Sequence, residues 1–92
     1  MWDDEQMRFD VQIEVRLRPG VADPQGATIE RSLPALGFDG VSGVGVGKVI
    51  TFALEATDED AARAEVDDMC RRFLTNPVIE DSEIRLTAAA PA

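Results

Sequence analysis

Ninety-two residues make one small domain and leave no room for a second core. Nine Lys and Arg against eighteen Asp and Glu leave a net charge of −9, which opposes nucleic acid or an anionic membrane as the main partner, because phosphate needs a positive field. With 45% apolar residues the chain can build a core, and no apolar stretch approaches the roughly 20 residues that span a bilayer.

The acidic start Met1–Met7 has none of the apolar run of a signal peptide. The chain has no histidine, no tyrosine and one cysteine, Cys70. An internal disulfide and cysteine- or histidine-based metal sites are therefore excluded, as are the Ser-His-Asp and Cys-His devices. Carboxylates, Lys, Arg and hydroxyls remain for chemistry, so composition leans away from an autonomous enzyme. One unpaired thiol fits a reducing, cytoplasmic setting.

A strict alternation opens the folded part. Phe9, Val11, Ile13, Val15 and Leu17 alternate with polar residues, the period of a half-buried strand, until Pro19-Gly20 ends it. Asp23-Pro24 reads as an N-cap with proline at the first helical position, and Ile29, Leu33 and Leu36 form one apolar stripe. Pro34 is expected to kink or shorten this helix, and Gly37 to close it. Two short strands are expected within Val41–Leu54, with a glycine turn at Gly43, Gly45 and Gly47. Ile50, Phe52 and Leu54 share one face of the second strand; Val49, Thr51 and Ala53 share the other. Thr57 is expected to cap a second helix with acids in its first turn and a stripe of Ala62, Val66, Met69 and Phe73. Asn76-Pro77 stops that helix. A last strand lies within residues 78–87, with Ile84 and Leu86 inward.

The order β-α-β-β-α-β predicts an α+β, ferredoxin-like fold: a four-stranded antiparallel sheet with both helices on one face. The domain is expected over residues 8–87, with residues 1–7 and 88–92 as flexible tails. The bare face, carrying Val49, Thr51 and Ala53, is the candidate self-association surface.

Gly43–Lys48 invites a phosphate-loop reading but lacks its spacing and leads into a strand, so it reads as a structural turn that leaves Lys48 available to a partner. Asp23-Pro24-Gln25-Gly26 is a helix start whose Gln25 adds nothing to the cap. Asn76-Pro77-x-Ile79-Glu80 is a helix stop with spare polar groups, Glu80 reading as uninvolved in the stop. The acids Asp58, Glu59, Asp60, Glu65, Asp67 and Asp68 read as a solvated helix face without calcium-loop spacing, and no metal ligands are assigned. Cys70 reads as a small buried hydrophobe.

Read together, Val21–Gly26, Leu36-Gly37-Phe38, Gly47-Lys48 and Met69–Asp81 resemble the PurS family, the small subunit of phosphoribosylformylglycinamidine synthase, over about residues 8 to 86. One departure is Gly45, where relatives often carry arginine. The resemblance implies a non-catalytic subunit that docks a glutaminase to an ATP-dependent synthetase and supports ammonia transfer in purine synthesis. It implies no cofactor on this chain, with ATP and Mg used by the synthetase subunit, and a homodimer or homotetramer. Its implied partner-interface residues are Asp23, Pro24, Gln25, Gly26, Gly47, Lys48, Asn76, Pro77, Ile79 and Glu80. The competing readings are a small-ligand, amino-acid-binding regulatory module of the same topology, an acylphosphatase-type hydrolase for which Arg18–Val21 is a poor match, and RNA binding, for which the open sheet lacks outward aromatics.

Overall fold

In a computed structural model the described residues are 6–89. The order is β1 (Met7–Leu17), α1 (Pro24–Ser32), a 3₁₀ turn (Pro34–Leu36), β2 (Gly47–Ala56), α2 (Glu59–Met69), a π turn (Cys70–Leu74) and β3 (Glu80–Ala88). The sheet has three antiparallel strands in the order β2-β1-β3. The alternation of β1 is realised, with Phe9, Val11, Ile13 and Val15 all 2% exposed or less. Opposite them on the inner face stand Leu54, Phe52, Ile50 and Lys48 of β2, and Ala88, Leu86, Ile84 and Ser82 of β3. Met7 and Ala88, placed in the tails by the sequence reading, belong to strands. Of the other tail residues, Gln6 and Ala89 flank the strands, and 1–5 and 90–92 lie outside the described residues.

The expected fourth strand is absent from the described residues, and the ferredoxin-like order is not realised. Residues 41–46 are extended but join no ladder. Two of their N–H groups instead meet carboxylates: Val44 N–H donates to Glu30 Oε1 at 3.0 Å and Val46 N–H to Asp23 Oδ2 at 2.9 Å. This run lies along α1, and the two form an arm rather than a second sheet layer. α1 makes no substantial contact with the sheet, so the expectation of both helices on one face fails.

The arm stretches the molecule to 61 × 30 × 14 Å, with a radius of gyration of 18.0 Å. A compact chain of this length would have about 12 Å. On the arm Ile29, Leu36, Phe38 and Val41 are 40–70% exposed.

Pro34 acts as expected: α1 ends at Ser32, and the following 3₁₀ turn closes on Gly37 at φ 97°. The cap of α2 is Asp58, not Thr57; its carboxylate accepts Ala61 N–H at 2.7 Å. α2 covers the sheet through Ala62 and Val66, and the π turn continues through Cys70, all three 3% exposed or less. The stripe then continues to Leu74, not Phe73, which is 86% exposed. Positions 62, 66, 70 and 74 form a strict i, i+4 row, and the wider π turn carries that row over the sheet to its end.

Candidate functional site: a cleft at the root of the arm

Asp23 builds the site. As N-cap of α1 it accepts Gly26 N–H on Oδ1 at 2.8 Å, and its other oxygen takes Val46 N–H. One carboxylate thus starts the helix and ties the helix to the chain entering β2. These two bonds, the Gly26 one first, hold its pKa below the ordinary 3.8. Glu30 repeats the tie seven residues on. The spacing of two helical turns is the signal that could have revealed it, because it puts both carboxylates on one face of α1.

Gly26 and Gly47 have structural reasons that suffice for them. A Cβ on Gly26 would stand 2.5 Å from Val44 O, and one on Gly47 would stand 2.5 Å from Val15 O. Between them opens a cleft of about 340 Å³ lined by Asp23, Pro24, Gln25, Gly47, Lys48 and Glu80, over an apolar floor of Val15, Leu17 and Val46. Six of the ten candidates therefore meet at one place. Gly26 is buried behind it.

The other three, Asn76, Pro77 and Ile79, lie in the turn before β3 and join the cleft only through Glu80. Glu80 is not the bystander expected from the sequence. Its Oε1 accepts Asn76 N–H at 2.8 Å while its own N–H donates to Asn76 O at 2.8 Å. Asn76 Oδ1 accepts Val78 N–H, and Ile79 O accepts Arg18 N–H at 2.8 Å, fastening the turn to the end of β1. The turn is thus a self-bonded unit.

Cys70 lies elsewhere, beneath α2. Burial raises its thiol pKa, the Ser82 hydroxyl lowers it and Asp67 raises it further, so the thiol stays protonated near neutrality. Among the described residues no group of three or more His, Cys, Asp or Glu is placed to hold a metal. No helix there is long and apolar enough to cross a membrane.

Val49, Thr51 and Ala53 do share the open face of β2 and are exposed. Their surroundings differ from the half-apolar face expected. Beside them stand Arg8, Asp10, Gln12, Glu14 and Arg16 of β1, then Asp81, Glu83, Arg85 and Thr87 of β3. The uncharged strip is confined to β2.

The fold and the cleft define a small, open-sheet α+β module with a projecting arm. Residues 10–88 match the sequence model of the family described as PurS, phosphoribosylformylglycinamidine (FGAM) synthase. The chain is 41% identical over 80 residues to the PurS subunit of Methanothermobacter thermautotrophicus, covering 87% of this chain and 94% of that one. It is 45% identical over 80 residues to the PurS subunit of Synechocystis, covering 87% and 80%. Among solved structures, the PurS subunit of Thermotoga maritima superposes with a TM-score of 0.81 at 35% identity, covering 89% of this chain and 94% of that one. PurLQS from the same organism contains a chain that superposes at 0.80 with 36% identity, covering 87% and 98%. The chain belongs to the PurS family. It is a subunit of FGAM synthase, a ligase complex of purine biosynthesis.

Proposed function

We propose that the chain is the non-catalytic docking subunit of its complex, holding the glutaminase against the ATP-dependent synthetase so that ammonia passes directly between them. The observation that carries this reading is the convergence of Asp23, Pro24, Gln25, Gly47, Lys48 and Glu80 on one cleft in a chain of this family. Free ammonia would escape to solvent or be protonated. Fixing its source beside its consumer raises its effective concentration, a role that needs surfaces and not acid–base groups. The cleft and the turn Asn76–Glu80 are the partner surfaces in this account. The chain carries no cofactor of its own; ATP and Mg are handled by the synthetase. The assembly is cytoplasmic.

The chain also pairs with itself, as a homodimer or as a homotetramer built from two such pairs. Support comes from the apolar residues left bare on the arm, since a domain this small seldom leaves such a stripe uncovered. Co-elution of this chain with purified synthetase and glutaminase tests the docking reading. Wild type is expected in one peak with both, and Gln25→Trp, which fills the cleft, is expected to leave it. Co-elution of Gln25→Trp as strong as wild type would remove the cleft from the interface.

A further inference from the structure

Phe73 is the most exposed large apolar side chain among the described residues, at 86%, and Val78 follows at 80%. Apolar groups this bare on a small chain mark a contact. An uninterrupted α-helix would put Phe73 in line with Ala62 and Val66, against the sheet. The π turn over Cys70–Leu74 seats Leu74 there instead and turns Phe73 outward. Such turns are rare and occur frequently at functional sites. This one is firmly closed: Thr75 N–H and the Thr75 hydroxyl both donate to Cys70 O, at 3.1 and 2.9 Å. Val78 is held as well, its N–H donating to Asn76 Oδ1 at 3.1 Å. Both side chains therefore stand on backbone that is fixed before a partner arrives, which lowers the ordering cost of binding.

We infer that this end of α2 is a docking surface separate from the cleft, made for an enzyme subunit of the complex that presents an apolar pocket with a lysine or arginine at its rim. The inference rests on the docking reading and adds a surface to it. Joining two proteins takes two surfaces. The groove of about 590 Å³ here, lined by Glu65, Asp68, Met69, Arg72, Phe73 and Leu74, shares no lining residue with the cleft. Phe73 is the anchor: an aromatic ring seated in a partner's pocket buries about 150–250 Å², and aromatic residues are enriched at the cores of interfaces.

Charge names the rim. Asp68 is paired with Arg71 at 3.5 Å and with Arg72 at 3.2 Å, which leaves Glu65 as the groove's one acid without a cation among the described residues. A partner that closed over Glu65 without supplying a cation would leave a charge buried and unpaired. A second copy has none to offer from the same surface, because Arg71 and Arg72 are already engaged by Asp67 and Asp68. Charge therefore favours a different protein.

Photo-cross-linking in a mixture of this chain with synthetase and glutaminase tests this. On irradiation, Phe73→p-benzoylphenylalanine is expected to join the chain to one of the two enzymes, at a peptide that carries apolar residues and a lysine or arginine. Phe73→Asp should melt at the wild-type temperature, because the ring is bare, yet bind the two enzymes at least ~30-fold more weakly. Phe73→Leu, which keeps an apolar anchor, should stay within about tenfold of wild type. Glu65→Lys should weaken binding about threefold to tenfold. The cross-link decides whatever the stability of Phe73→Asp. A cross-link to a second copy, or to nothing, overturns the surface, and so does wild-type binding by Phe73→Asp. The docking reading survives each of these results as long as the wild-type chain co-elutes with both enzymes. Unchanged binding by Glu65→Lys overturns the basic rim. A wild-type chain that binds neither enzyme overturns the docking reading itself.

Discussion

Single atoms decide how the arm is held. Gly26 lets α1 lie on Val44 O, and the contact tolerates no methyl group. Gly26→Ala should cost about 1–3 kcal/mol through overpacking. Gly45→Ala, whose Cβ would meet only Asp23 Oδ2 at 4.0 Å, should stay within about 0.5 kcal/mol. Paired denaturant titrations check the contrast. Asp23 gives a pH signature. Its folded pKa lies below 3.8, so the ionised carboxylate contributes stability that is fully present above about that pH and fades as pH falls through the lower folded value. Wild type should therefore melt above Asp23→Asn at pH 7, and the gap should close on acidification towards pH 2.5. A gap independent of pH would mean that the charge is not what binds Val46 N–H.

At the scale of elements, much of the fold was legible and the failures have identifiable causes. The β1 alternation, the Asp23-Pro24 start, the Pro34 break and the Gly37 close were local patterns with local consequences, and the structure repeats them. The fourth strand failed because extended residues become a strand only when a neighbour accepts their bonds. Residues 41–46 found side chains on α1 instead, a choice made by tertiary contacts. Phe73 failed because at 100° per residue it falls in line with Ala62 and Val66, and the wider π turn over Cys70–Leu74 brings Leu74 onto that line in its place.

The site was half legible: the cleft residues were nameable, but the work of Glu80 was hidden because its bonds need the turn already folded. Glu80→Ala should accordingly cost about 0.5–1.5 kcal/mol, more than an ordinary exposed position, by freeing Asn76 N–H. Thermal unfolding of this variant beside Glu83→Ala measures it. Cys70 follows from packing in the same way. In the folded chain iodoacetamide should modify it at least tenfold more slowly than in the unfolded chain at pH 8, because burial keeps the thiol protonated and out of reach. Equal rates would place Cys70 on the surface.

A three-stranded sheet with one covering helix, a bare arm and a cleft at the arm's root is incomplete alone, and each unfinished surface invites another protein. Chemistry belongs to the neighbours in this account, and the small subunit sets the distance between them. The direct test is the ratio of glutamine-driven to ammonium-driven FGAM synthesis in a reconstituted complex, measured with and without this chain. With the chain present the ratio should be high. Without it, glutamine-driven synthesis should collapse while synthesis from added ammonium persists, so the ratio should fall at least tenfold. An equal loss of both rates would contradict the docking account, because it would show that the chain is needed by the synthetase reaction itself.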